Sequence, residues 1–141
     1  QCNVDSKNLW NCLTNISDIN QSLNNQTISC LFNVSDSFET VSSKIFNSSI
    51  DTEKPIINIL SPGNNTSWSD NTGIFFSVGT NEASKINYDI DLDGRTKILC
   101  RNNCALASRS LRFSEGTHII RFFAEDLAGN KASESVVINV V

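Results

Sequence analysis

Two apolar runs of period two, joined by one short polar turn, constrain this chain more than any other stretch. From His118 to Glu125 the residues Ile120, Phe122 and Ala124 stand at every second position. Val136, Ile138 and Val140 repeat the spacing in the last run. Side chains alternate between the two faces of a strand, so each run is a strand with one buried face. Between them lies Asp126-Leu127-Ala128-Gly129-Asn130, in which Gly129 and Asn130 are residue types that tolerate positive φ. Gly116–Val141 is therefore expected to form a β-hairpin.

The same logic runs upstream. Asp51-Thr52-Glu53-Lys54-Pro55 is a polar linker, and its Pro biases Lys54 toward extended geometry. Ile56–Leu60 reads as a strand and Ser61–Asn65 as a turn. Gly73–Gly79, with Ile74, Phe76 and Val78 on one face, and Lys85–Ile90, with Ile86, Tyr88 and Ile90 in register, are two more strands. Asp93-Gly94 is a hairpin-turn dipeptide. Arg95–Cys100 returns, Ala105–Phe113 follows, and the hairpin closes the set. About seven short strands with regular turn signals and no competing helical period predict an all-β fold, a β-sandwich over 51–141.

Residues 1–50 carry an internal repeat of the second half of that pattern. Asn3–Cys12 aligns without gaps on Asp91–Cys100 at an offset of 88. Phe32–Asp36 aligns on Phe122–Asp126 at an offset of 90. At that offset Ser43 falls on Ser133, and Phe46, Ser48 and Ile50 fall on Val136, Ile138 and Val140. Residues 1–50 thus read as an incomplete domain holding only the C-terminal strands of a similar sandwich. Half a sandwich exposes a core face and unpaired strand edges. Three readings follow: the chain is cut from a longer tandem array, another chain supplies the missing strands, or 1–50 folds in some other shape.

Composition narrows the setting. The chain contains no Met and starts with Gln, which reads as a processed product or a fragment. No run of eighteen apolar residues is present, so this segment is not expected to enter a membrane. Net charge is only −4 with no basic cluster, which argues against nucleic acid as a partner. Seven Asn-x-Ser/Thr sequons occur, at Asn15, Asn20, Asn25, Asn33, Asn47, Asn64 and Asn65, the last two overlapping. Five lie in the first fifty residues, where only six residues are charged. Covalent N-glycans there would supply the solubility that charges normally give. By the repeat, Asn33 matches Phe123 and Asn47 matches Val137, positions that alternate with the core-facing ones and so face outward. The five cysteines suit the same oxidising, extracellular compartment. Cys100 and Cys104 are expected to close a small structural disulfide that pins an edge between two strands. Two of Cys2, Cys12 and Cys30 are expected to pair, with the partner choice open.

The opening Asp51-Thr-Glu-Lys-Pro-Ile-Ile-Asn-Ile-Leu-Ser-Pro-Gly-Asn-Asn65 resembles that of the immunoglobulin-like repeats of archaeal and bacterial cell-surface proteins. Tyr88–Gly94 looks like a longer form of their central Tyr-x-x-x-Asp-Gly hairpin. Glu115-Gly-Thr-His118 and Phe123–Ala132 are similar to their last hairpin. The first copy departs at Ser37–Thr40, which stands where Leu127–Asn130 stands in the second. The resemblance implies a repeated spacer in adhesins, stalks or surface-layer-associated proteins, with neighbouring repeats or identical subunits as partners and no catalytic machinery.

Other chemistry is thinly represented. Asp89-x-Asp91-x-Asp93-Gly94 opens like a calcium loop, but the twelfth position is Cys100 where a bidentate Glu is required. A hairpin turn explains the same residues without metal, with Asp89 and Asp91 facing outward. A calcium site at the domain junction would draw on Asp51, Glu53 and Asp126. No resident cofactor is expected. His118, the only histidine, has no recognisable nucleophile partner, and no phosphate loop occurs. Trp10 and Trp68 are the candidates for sugar stacking, with Trp10 matching Ile98 and Trp68 lying in a turn-rich segment.

Overall fold

The computed structural model describes residues 2–4, 10–12, 24–30, 33–35, 37–69 and 73–141, and their regular secondary structure is entirely β. The chain forms two compact units, Gln1–Thr52 and Glu53–Val141. The boundary falls in the polar linker, two residues after the expected one.

In the second unit β7 (Ile57–Ser61), β8 (Thr66–Trp68), β9 (Ile74–Ile90), β10 (Lys97–Leu111), β11 (Gly116–Asp126) and β12 (Lys131–Val140) form one six-stranded sheet. The sheet curls over itself. Ile74–Thr80 of β9 pairs with β7 and with Leu106–Leu111 of β10. Ser84–Ile90 of β9 pairs with β11 and with the first half of β10. β12 lies beside β11 and takes β8 in parallel on its other edge. The two halves of β9 thus belong to the two layers of an immunoglobulin-like sandwich. Phe76, from the first half, meets Phe122 of β11 at 6.0 Å between ring centroids, and Tyr88, from the second half, meets the same ring at 6.3 Å.

The alternation read from the sequence is what the core uses. Ile74, Phe76, Val78, Ile86, Tyr88, Ile120, Phe122, Ala124, Val136, Ile138 and Val140 are all buried. Each sits two residues from the next in its run, so the pleat brings all of them to one face. Ile57, Ile59, Ile90, Leu99, Leu111 and Phe113 pack around them.

The strand count differs from the seven expected for a structural reason. The second and third expected strands are one bent strand, β9, and the fourth and fifth are one bent strand, β10. Bulges make the bends. Between Cys104↔Ser84 and Leu106↔Gly79, β9 advances five residues while β10 advances two. The extra residues of β9 turn the corner between layers, as bulges do where a sheet folds over. Corner carbonyls that the ladder leaves open are met by side chains. The Thr80 hydroxyl lies 2.8 Å from the Glu82 oxygen and 3.0 Å from that of Cys104, and Ser84 Oγ–H donates to Glu82. β8 was not legible in the sequence. Asn65 N–H donates to the Val137 carbonyl and Asn64 Oδ1 accepts from Val137 N–H, so these side-chain and main-chain bonds start the parallel ladder that β8 continues.

The first unit contains β1 (Cys2–Val4), β2 (Trp10–Cys12), β3 (Thr27–Cys30), β4 (Asn33–Ser35), β5 (Thr40–Ser42) and β6 (Phe46–Ser49). They pair two by two: β1 with β2, β3 with β6, β4 with β5. The register of β3–β6 runs from Thr27↔Ser49 to Cys30↔Phe46. Adding the repeat offset of 90 gives Thr117↔Asn139 and Ile120↔Val136, which are pairs of β11–β12. The match slips by one at β4–β5, where Asn33 pairs with Ser42, whereas Phe123 pairs with Ser133. The slip lies beside the turn where the two copies differ in sequence.

Candidate functional site

The acidic hairpin is built differently from a Asp93-Gly94 turn. Asp91 and Leu92 have φ of 56° and 55°, and Asp93 N–H donates to the Ile90 carbonyl at 3.3 Å. Positive φ at both central residues marks a type I′ turn centred on Asp91-Leu92. Asp visits this region readily; Leu does so at a cost.

Asp91 is held there by β11. Its Oδ1 accepts the Ile119 N–H at 3.0 Å, and its N–H donates to the Ile119 carbonyl at 2.7 Å. Its Oδ2 lies 2.8 Å from His118 Nδ1, while His118 Nε2 lies 2.9 Å from the Ser114 carbonyl. The Phe113 ring packs on the imidazole at 5.0 Å between centroids. A carboxylate and a carbonyl can only accept, so both ring nitrogens are satisfied together only in the imidazolium. Burial alone would push His118 down, but the Asp91 hydrogen bond, the Ser114 carbonyl and the Asp91 charge outweigh it and raise its pKa. Burial likewise pushes Asp91 up, and the His118 and Ile119 hydrogen bonds with the His118 charge bring it below the usual carboxylate value. The pair clasps the β9–β10 turn to the start of β11. In the sequence pattern His118 simply heads its strand. Its partner lies 27 residues away, so no local signal could show the clasp.

The calcium-loop pattern is not realised at this turn. Among the described residues, the carboxylates of Asp89, Asp91 and Asp93 do not converge as a group. Asp91 is engaged as above, and Asp93 Oδ1 accepts the Arg95 N–H. Asp89 corrects a second expectation: it does not face solvent but is only 5 % exposed, with Oδ1 unpartnered. It sits on a strand flanked on both sides by β10 and β11, directly opposite Arg121, so neighbouring side chains cover its face. Asp126 is buried in the β11–β12 turn. Its Oδ1 accepts the Asn130 N–H and its Oδ2 the Asn130 Nδ2–H, both at 2.9 Å. Burial pushes Asp126 up, yet these bonds and the N–H groups of Gly129 and Ala128 hold it below the usual range. Gly129 takes φ of 94° as expected for the turn; Asn130 is not in the left-handed region.

A disulfide joins Cys100 and Cys104, whose Cα atoms are 6.4 Å apart. It does not link two strands: both residues lie in β10. Cys100 faces Ile86 and Cys104 faces Ser84, so β10 takes four steps where β9 takes two. The bond closes that bulge next to the layer corner. Cys2 stands directly opposite Cys12 in the β1–β2 ladder, and Cys30 stands opposite Phe46 in β3–β6.

Asn15 and Asn20 lie outside the described residues. Asn25, Asn33, Asn47, Asn64 and Asn65 are exposed. Ser42 Oγ–H donates to Asn33 Oδ1 at 2.6 Å, Ser29 Oγ–H to Asn47 Oδ1 at 2.7 Å, and Val137 N–H to Asn64 Oδ1 at 2.9 Å. Each of these bonds engages the amide oxygen, not the nitrogen to which a glycan attaches. Asn25 and Asn65 occupy left-handed turn positions, with φ of 60° and 59°. Trp68 is 37 % exposed and donates its Nε1–H to Thr66 Oγ1. The side chain of Trp10 lies outside the described set.

No protein-family model matches the chain, and no curated protein matches it. Among solved structures 27 chains match. One is a fibronectin(III)-like module of Clostridium thermocellum CbhA, 19 % identical, with a TM-score of 0.49, aligned over 60 % of this chain and 95 % of that module.

Proposed function

We propose that this chain is a non-catalytic structural or adhesive module of an N-glycosylated cell-surface protein, archaeal or bacterial, built from tandem immunoglobulin-like repeats. The observation that carries the reading is the shared register of β3–β6 and β11–β12 at the repeat offset of 90. Two copies of one hairpin, one in a complete sandwich and one ahead of it, are what a tandem array produces. The exposed sequons Asn25, Asn33, Asn47, Asn64 and Asn65 support a glycosylated, extracellular surface. His118 has both nitrogens committed to structural bonds, which leaves no base for acyl or proton transfer at that site. The work of such a module is to space and present surfaces.

A specific observation favours a second reading, a filament subunit completed by a neighbouring copy. β11 is paired on both edges, by β12 and by β9. Its counterparts β3 and β4 are each paired on one edge among the described residues. Edges of this kind accept a donated strand. Size-exclusion chromatography with light scattering on the full chain, followed by unheated SDS electrophoresis, separates the readings. A monomer is the result expected for a spacer. An SDS-resistant ladder or fibres would replace it with the filament. Hydrolytic activity on glycans or peptides that is lost on substituting a single side chain of this chain would overturn both. Binding on a glycan array would instead support a ligand-binding module.

A further inference from the structure

We infer that Cys2 and Cys12 form a disulfide across the β1–β2 hairpin and that Cys30 is the unpaired thiol of this chain. The backbone register sets Cys2 and Cys12 directly opposite each other. Opposite residues in an antiparallel pair have Cα atoms about 4.5–5.5 Å apart, inside the roughly 4.4–6.8 Å range that a disulfide spans. Asn3↔Asn11 and Val4↔Trp10 continue the same ladder, so the pairing does not rest on one contact.

The register is not shared with the second unit, where Cys100 faces Ile86, but the repeat shows why Cys12 cannot form the bond that Cys100 forms. At the offset of 88, Cys12 falls on Cys100, which in the second unit bonds Cys104 within one strand. The position equivalent to Cys104 is Ile16, so Cys12 has no thiol four residues on. Cys2 falls on Ile90 and supplies the partner from the opposite strand instead. Cys30 falls on Ile120 at the offset of 90, and Ile120 is fully buried in the core of the second unit. Its cross-strand partner is Phe46, not a cysteine. A cysteine in a core-type position serves as a small apolar residue, which accounts for the odd number of thiols.

The bond forms by thiol–disulfide exchange with an external small-molecule or protein disulfide. The Cys2 and Cys12 sulfurs bond to each other, the external S–S bond breaks, and its two sulfurs take up two electrons and leave as thiols. The test uses the full chain, recovered under oxidising conditions from a host that adds no N-glycans and alkylated before any reduction. Cleavage after Asp5, Asp18 and Asp36 puts the three cysteines on separate peptides, 1–5, 6–18 and 19–36. Mass spectrometry is expected to find 1–5 linked to 6–18, two hydrogens lighter than their sum, and 19–36 alkylated. Cys30→Ser is expected to leave that linkage intact, whereas Cys12→Ser leaves Cys2 alkylated. Peptide 19–36 linked to either of the others, or all three peptides alkylated, would overturn the assignment.

Discussion

Replacing His118 with Gln removes a charge and one of two hydrogen-bond donors from the clasp on the β9–β10 turn. His118 Nδ1 is 2.8 Å from Asp91 and Nε2 is 2.9 Å from the Ser114 carbonyl. A hydrogen bond between charged partners contributes roughly 1.5–3 kcal/mol. The Asp91 side chain is 47 % exposed, so solvent screening reduces that to about 1 kcal/mol. The pKa of His118 is raised above 6.5 in the folded chain, so its contribution is complete below 6.5 and is lost as pH rises through the folded value. Asp91 is depressed below 3.8, so its contribution is present above 3.8 and is lost as pH falls through the folded value. The pair therefore stabilises most between those two limits. About 1 kcal/mol moves the melting temperature of a unit of this size by roughly 4–8 °C. Calorimetry of the full chain should show the Glu53–Val141 transition falling by about that much between mildly acidic and mildly alkaline buffer. In His118→Gln the transition should start lower in acid and lose most of this slope. Because the chain has one histidine, no second imidazole can mimic the effect. A wild-type transition that is flat across this range, or a variant that keeps the full slope, would refute the clasp.

Four further outcomes are expected. Leu92→Asn, at a left-handed turn position, should stabilise the second unit by about 1 kcal/mol in urea unfolding, with the m-value unchanged. Phe122→Ala, which deletes a fully buried ring between Phe76 and Tyr88, should cost about 3–5 kcal/mol by the same measurement. Asp126→Ala should cost about 2 kcal/mol at neutral pH, because it unmakes two bonds to a buried carboxylate. In the wild type, the Asp126 contribution is lost as pH falls through its depressed folded value, and the variant should show less acid sensitivity. A chelator should leave the melting temperature unchanged; a fall of many degrees would overturn the expectation that no cation is bound.

Some of this protein follows from the sequence alone. Ile120, Phe122, Val136 and Ile138 had to share one face, because a strand's side chains alternate whatever surrounds it. The turn through Gly129 is set by a local demand for positive φ. The repeat at offset 90 predicts equivalent pairing, and β3–β6 adopts it. Tertiary structure decided the rest, because the rest depends on what lies across a ladder. Asp89 alternates with core residues and still ends up buried, since its strand is central and not at an edge. β9 and β10 are each one strand because the chain bends through a bulge between layers, and alternation survives such a bend unchanged. Cys100 and Cys104 close a bulge inside one strand, a place set by the register of β10 against β9. The clasp between Asp91 and His118 exists only once β11 lies beside β9. Local periodicity determined which residues are strand and which face is apolar; long-range pairing determined which strand meets which, and therefore every polar contact at the turns.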